Sequence, residues 1–229
     1  MKKSILIFLI FSNFVLAKDM TINGASRFKV LPISAALTDK MKGVTYQSDC
    51  PVPLSQLRLL KLQYWGFDDR PHQGQLIVHY KLALEVVGLF SALYKVHYPI
   101  ERMQLMHQFK GNDELAMSLN NTSAFNCRAI TGHQKKFSKH AYGVALDINP
   151  KINPYIKGKV VLPKNSQPFV DRSKPHKGIA TSNSFIVKLF KRHGWQWGGD
   201  WQSLKDYQHF ERVYTQYPCA TNLLLKSTI

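Results

Sequence analysis

The clearest hydrophobic pattern lies between residues 76 and 100. Residues 76–78 are apolar and β-prone, and apolar side chains then recur at helical spacing from Leu82 to Tyr94. Pro99 ends this pattern, because proline disfavours helical geometry in the residue before it. The segment therefore predicts a strand followed by a helix that packs in the core.

A second helix is predicted after residue 182. Asn183 or Ser184 can cap its first turn, and basic residues crowd its last turn before Gly194, a residue type that commonly ends helices. The residues expected on its buried face are Phe185, Ile186, Leu189 and Phe190.

The rest of the chain contains short strand-like pieces separated by glycine, proline and asparagine. Residues 153–175 contain Pro154, Gly158, Pro163 and Pro168 and show little periodicity, which predicts a long loop or a lid. Strands and helices do not alternate in a βαβ rhythm. The pattern therefore favours an α+β fold over a doubly wound sheet.

The N-terminus has the pattern of a secretory signal peptide. Two lysines precede a short apolar run, and Val15 and Ala17 supply small residues at the positions that a signal peptidase inspects. A retained membrane anchor is the alternative, but the run is short for a bilayer. We expect residues 1–17 to be removed and the protein to be exported, to the periplasm or outside the cell.

The length that remains suits a single domain with its own hydrophobic core. Residues 18–50 have mixed polarity without strong periodicity and are expected to form an N-terminal extension of uncertain structure. Residues 51–229 are expected to form the domain itself. No later stretch has about 18 uninterrupted apolar residues, so no transmembrane anchor is expected after signal removal.

The chain is strongly basic, with a formal net charge of +17. Residues 1–17 contain two lysines and no acidic residue, so the mature chain would carry +15. This charge indicates an anionic partner, such as an anionic cell-wall surface, or serves only solubility and nonspecific adhesion. No zinc finger, base-stacking motif or helix-turn-helix signature accompanies it, so no specific nucleic-acid binding is predicted.

Three cysteines are present, Cys50, Cys127 and Cys219. An oxidising destination permits one disulfide and leaves one thiol over, and the sequence does not choose the pair. No C-x-x-C motif occurs, so neither a thiolate zinc site nor a thioredoxin-like motif is predicted.

The first segment that carries chemistry is residues 137–150. Val144, Leu146 and Ile148 alternate with smaller or polar residues, as in a strand with one apolar face, and Asp147 points to the other face. A carboxylate in such a run is costly unless something pairs with it. A metal ion would do so, and His140 at the entrance of the strand can reach the same point. A surface histidine and a turn-capping aspartate are the alternative.

The second segment is residues 194–211. Three tryptophans and three glycines within residues 194–201 indicate a rigid apolar wall with tight backbone turns, although such clusters often serve as plain core. Asp206 lies three residues before His209, close enough for a carboxylate to sit beside a metal ion that the histidine binds.

Together the two segments resemble the LAS group of zinc peptidases, which contains D-alanyl-D-alanine carboxypeptidases, vancomycin-resistance D,D-dipeptidases and L-alanyl-D-glutamate endolysins of phages. The resemblance covers about residues 127–211 and is closest to the endolysin-like branch. The family motif S-x-H-x-x-G-x-A-x-D is matched without a gap by Ser138, His140, Gly143, Ala145 and Asp147. The family motif continues with an acid three residues before a second histidine, matched by Asp206 and His209. The tryptophan-glycine stretch of the family, just upstream of that acid, is matched by residues 194–201.

The resemblance implies a small central antiparallel sheet with flanking helices in one domain, as in the hedgehog and D-Ala-D-Ala peptidase folds. It also implies one bound Zn²⁺ ion, with Asp206 as general base and Arg128 as the group that stabilises the oxyanion. The implied metal ligands are His140, Asp147 and His209, and the residues expected to contact substrate are Ser138, Tyr142 and Trp201.

Three functions are open at this point. The favoured one is a zinc peptidase acting on peptidoglycan stem peptides, as a D-Ala-D-Ala carboxypeptidase or as an L-Ala-D-Glu type endopeptidase. A non-catalytic zinc-containing module that binds the cell wall or a protein is the alternative. Asp206 and Arg128 argue against that module, because a site that only binds needs no base. A nucleic-acid-binding or nuclease function is motivated by charge alone.

Overall fold

The computed structural model describes residues 27–130 and 133–212, without the side chains of residues 133–135. The predicted signal peptide and Cys219 lie outside these ranges. Within them, no helix is both long enough and apolar enough to cross a membrane.

The described residues form four helices and eleven short strands joined by turns and 3-10 helices. The helices are α1 (Ala35–Met41), α2 (Ala83–Lys95), α3 (Asp113–Ser118) and α4 (Phe185–Arg192). The strands are β1 (Lys29–Pro32), β2 (Leu57–Trp65), β3 (Pro71–His79), β4 (Ala129–Ile130), β5 (His133–Phe137), β6 (Ala145–Asp147), β7 (Tyr155–Lys157), β8 (Val160–Leu162), β9 (Trp195–Trp197), β10 (Lys205–Asp206) and β11 (His209–Arg212).

The first sheet has the antiparallel order β1-β2-β3 and is covered by α2. Alternate side chains of β2 and β3, including Leu62 and Val78, point into the core, where Val86 and Phe90 of α2 meet them. This confirms the predicted strand and core helix, since β3 contains residues 76–78 and α2 follows it after the 3-10 turn Tyr80–Leu82. The predicted and observed helices agree because the apolar residues of α2 recur with the 3.6-residue period of a helix and so lie on one face.

The second sheet has the antiparallel order β6-β11-β9 and shares the same core. Helix α4 covers it and begins at Phe185, after Ser184, as predicted. The prediction that Phe185 is buried is wrong, because this residue is 45% exposed. The buried arc of α4 is centred on Ile186 and Phe190 and includes Val187, so the first residue of the helix falls at its edge.

The third sheet, with the order β10-β7-β8, corrects the prediction of a long loop over residues 153–175. Strands β7 and β8 form a hairpin with a two-residue turn at Gly158, whose φ is +56°. Three-residue strands between prolines are too short to show an alternating pattern, which explains why the sequence missed them. A two-stranded ribbon of β4 and β5 completes the strands.

Part of residues 18–50 is described and packs on the first sheet. Strand β1 pairs with β2, and Leu37 and Met41 of α1 belong to a second apolar cluster that also contains Leu57 and Phe125. A disulfide joins Cys50 to Cys127. The small antiparallel sheets and few helices confirm the predicted α+β class in a single domain.

Candidate metal centre

The pairing of β6 with β11 brings two distant side chains together. Asp147 and His209 are partners in the antiparallel register, and Asp147 Oδ1 lies 3.0 Å from His209 Nδ1. Strand β6 is also tied to Ser123, which exchanges two backbone hydrogen bonds of 2.9 Å with Asp147. Two residues 62 positions apart in sequence thus share one point at the end of the sheet.

His140 reaches that point from a 3-10 turn, Lys139–Tyr142, that precedes β6. The hydroxyl oxygen of Ser138 accepts a hydrogen bond from the His140 backbone N–H at 3.3 Å and so caps the turn. Gly143 ends the turn with a φ of +68°, and a Cβ there would lie 2.7 Å from the backbone nitrogen of His79. The motif glycine is therefore required both by its conformation and by the close approach of β3.

The three side chains form a compact group of potential metal donors. His140 Nε2 lies 3.2 Å from Asp147 Oδ2 and 3.3 Å from His209 Nδ1. One donor atom from each of the three residues lies within 4.8 Å of the others, and all three residues are buried. Two imidazole nitrogens and one carboxylate form a donor set that suits Zn²⁺, and three protein ligands leave a fourth position open, as catalytic zinc sites do. The group is therefore compatible with a zinc site.

Hydrogen bonds on the far side of each imidazole fix its orientation. His140 Nδ1 donates to the backbone carbonyl of Ala124 at 2.6 Å, which leaves Nε2 facing the shared point. His209 Nε2 lies 3.1 Å from Glu211 Oε2, which leaves Nδ1 facing the same point. The ring of Trp201 lies with its centroid 5.4 Å from that of His209.

The neighbouring charges of the group determine its protonation. Burial alone would raise the pKa of Asp147, but the adjacent His140 and His209 outweigh burial and hold the pKa far below its usual range. Burial alone would lower the pKa of His209, but its hydrogen bonds to Asp147 and Glu211 raise it to about 10. The protein therefore holds an ionised carboxylate between the two imidazoles, where a metal ion would also be stabilised.

Asp206 lies beside this group on β10, opposite Tyr155 of β7. Burial raises its pKa to about 6, and the charge of Asp147 adds to the rise while His209 opposes it. Among the described residues, its Oδ1 atom is buried without a hydrogen-bond partner. The backbone of Asp206 packs closely against Gly198, where an added Cβ would lie 2.5 Å from the Asp206 carbonyl oxygen. A glycine at residue 198 therefore permits the position of Asp206. A carboxylate with a pKa near neutrality can exchange a proton under physiological conditions.

A cavity of about 490 Å³ opens onto these residues. Its wall includes most of the residues that the sequence predicts for the site, namely His140, Asp147, His209, Asp206, Arg128, Ser138 and Trp201. Tyr142 is not among the lining residues; it is partly buried and packs against the two apolar clusters. Trp195 and Trp197 are core residues, so only one of the three clustered tryptophans faces the cavity.

Arg128 lies in the cavity wall and is ion-paired with Asp113 of α3. Asp113 also accepts a hydrogen bond of 2.8 Å from the side-chain amide of Asn126. This arrangement holds the guanidinium in place, since the carboxylate that orients it is itself anchored.

Sequence reasoning assigned no role to Glu211 or Asp113. Glu211 lies two residues after His209 on the same strand, and side chains two apart point to the same face. That spacing was a usable signal. The sequence carries no such signal for Asp113, because this residue meets Arg128 only through the tertiary fold.

Residues 131–212 match the model of a family described as D-alanyl-D-alanine carboxypeptidase. The matched segment contains all three potential ligands and Asp206 but begins after Arg128. No solved structure matches the chain. The resemblance predicted from the motifs is therefore confirmed over this segment, which is similar to the D-alanyl-D-alanine carboxypeptidase family of LAS-type peptidases.

Proposed function

We propose that the protein is a zinc peptidase that hydrolyses peptide bonds in peptidoglycan stem peptides. The observation that carries the proposal is the convergence of His140, Asp147 and His209 beside a half-buried carboxylate, Asp206, in one cavity large enough for a peptide segment. The scissile bond is either a terminal D-Ala-D-Ala bond or an L-Ala-D-Glu type bond.

His140, Asp147 and His209 would hold the zinc ion. When bound, zinc supplies Lewis acidity, which lowers the pKa of a coordinated water and polarises a carbonyl oxygen. The two histidines are fixed by the Ala124 carbonyl and by Glu211, so little ordering is needed on binding.

Asp206 would act as the general base. Its pKa of about 6 leaves it mostly ionised at neutral pH, and a nearby cation would lower that pKa further. It would take a proton from the attacking water as the new C–O bond forms. It would return that proton to the amine nitrogen as the C–N bond breaks, which restores the carboxylate.

Arg128 would stabilise the negative charge that develops on the carbonyl oxygen. Its ion pair with Asp113 orients the guanidinium at the cavity wall, and a preoriented donor stabilises charge without reorganisation. Ser138 and Trp201 would contact the substrate from the same wall. Tyr142 is not among the residues that line the cavity, so no substrate contact is proposed for it.

The cellular setting is part of the proposal. The signal-like N-terminus would direct the protein out of the cytoplasm, to the periplasm or the exterior, where peptidoglycan lies. The positive charge would favour adhesion to an anionic cell-wall surface.

The test is a digest of purified peptidoglycan and of defined stem peptides by the zinc-loaded protein, with products identified by mass spectrometry. We expect either free D-alanine or a new N-terminal amine, which separates a carboxypeptidase from an endopeptidase. Asp206→Asn should keep zinc and lose activity by a factor of 10² or more, on the order of the contribution of a general base. His209→Ala should lose both.

The matched control is Asp69→Asn, which makes the same change at an exposed carboxylate paired with Lys177. It should leave activity unchanged. If the zinc-loaded protein releases neither product, the proposal is wrong, and retained binding to the wall would then indicate a non-catalytic module.

A further inference from the structure

The two candidate histidine ligands present opposite ring nitrogens to the shared point. His140 faces it with Nε2, and His209 faces it with Nδ1, which lies 3.3 Å from that nitrogen. A neutral imidazole carries its proton on one nitrogen, so each ring must hold its proton on the other side to bind a cation. Each histidine therefore needs its own acceptor behind the ring.

The acceptor behind His140 is a backbone atom. The Ala124 carbonyl can only accept a hydrogen bond, so at 2.6 Å it holds the proton on Nδ1. The acceptor that holds this proton is therefore part of the main chain.

The acceptor behind His209 is the carboxylate of Glu211. Its Oε2 atom lies 3.1 Å from Nε2, on the opposite side of the ring from Asp147. The two side chains are only 8% and 14% exposed, so water competes weakly for the bond. An ionised carboxylate can only accept, which keeps the proton of His209 on Nε2.

We propose that Glu211 is a positioning residue that sets the tautomer of His209 and so prepares the metal site. Glu211 and His209 lie two apart on β11 and point to the same face, so the strand itself supplies this geometry. The inference rests on the metal site of the proposed function but does not require peptidase activity.

The first test measures zinc affinity by competition with a chelator. Removing such a partner of a ligating histidine typically weakens metal binding by about 10- to 100-fold. We expect a loss in this range for Glu211→Ala and a smaller loss for Glu211→Gln, whose amide oxygen can still accept. Glu114→Gln is the matched control, since Glu114 lines the same cavity but bonds to the Lys164 backbone. It should leave zinc affinity unchanged.

The second test uses the unaltered protein, so it does not depend on how the variants fold. ¹⁵N spectra of the histidine side chains in the zinc-loaded protein should show His209 protonated at Nε2 and bound through Nδ1. His140 should show the reverse.

Binding of zinc through Nε2 of His209 would overturn the inference. So would an equal loss of zinc affinity in Glu211→Gln and Glu114→Gln, because that would indicate a long-range effect of charge. The expected tautomers and affinities without any release of peptidoglycan fragments would support the inference while refuting the proposed peptidase function.

Discussion

The disulfide between Cys50 and Cys127 makes a quantitative prediction about stability. It joins residues 77 positions apart and ties the segment after α1 to the residue before Arg128. Replacing both cysteines by alanine removes this cross-link. Cys219 should also be replaced in both proteins of the comparison, so that no freed thiol can form a new pair.

The size of the effect follows from the length of the closed loop. The chain-entropy relation for a loop of about 78 residues gives a loss of about 4.5 kcal/mol in the free energy of unfolding at 25 °C. Measured values for disulfides are typically 2–4 kcal/mol, so we expect about 3 kcal/mol. For a domain of this size, that loss lowers the Tm by roughly 6–12 °C.

Denaturation in urea, followed by far-ultraviolet circular dichroism, measures the difference. The linear extrapolation should show a lower midpoint for the variant with a similar slope. Adding a reductant should lower the midpoint of the disulfide-containing protein to that of the variant and leave the variant unchanged. A loss below about 1 kcal/mol, or no response to the reductant, would refute the reasoning.

Two further predictions concern Asp206. The ionised carboxylate is the proposed base and its pKa is raised to about 6, so kcat/KM should fall as the pH drops below this value. Bound zinc should move this acidic limb of the pH profile to lower pH. Asp206→Asn should abolish the limb. A limb centred well above pH 6 would contradict the assignment. Gly198→Ala should lower activity at least about 10-fold, because the new Cβ would lie 2.5 Å from the Asp206 backbone and displace it. Gly88→Ala is the control, since a Cβ there meets no atom within 4 Å, and it should leave activity unchanged.

The sequence predicted the fold best where a pattern is local. The core helix α2 and the start of α4 follow from apolar spacing and chain breakers within about 15 residues, and the structure has both. The hairpin of β7 and β8 was missed because each strand has three residues and its pairing is visible only in three dimensions. The sequence left the pairing of the three cysteines undecided for the same reason.

The site was predicted in parts. The alternation around Asp147 predicts a strand with its carboxylate on the face opposite the apolar residues, but only the family resemblance connects it to His209, 62 residues away. Tyr142 lies two residues after His140 in a 3-10 turn, which corresponds to a rotation of about 240°. Its side chain therefore points in a different direction from that of His140 and packs against the apolar clusters.

The charges of the site explain why these residues occur together. Asp147, Asp206 and Glu211 place one buried and two half-buried carboxyl groups close together, and removing like charges from water is costly unless protons or a cation compensate. Protons can contribute, because hydrogen bonds to Asp147 and Glu211 raise the pKa of His209 to about 10 and burial raises that of Asp206 to about 6. A divalent cation at the shared point would take over that compensation and would keep Asp206 ionised to a lower pH. The same balance that stabilises a metal ion there would therefore also keep the neighbouring carboxylate ready to act as a base.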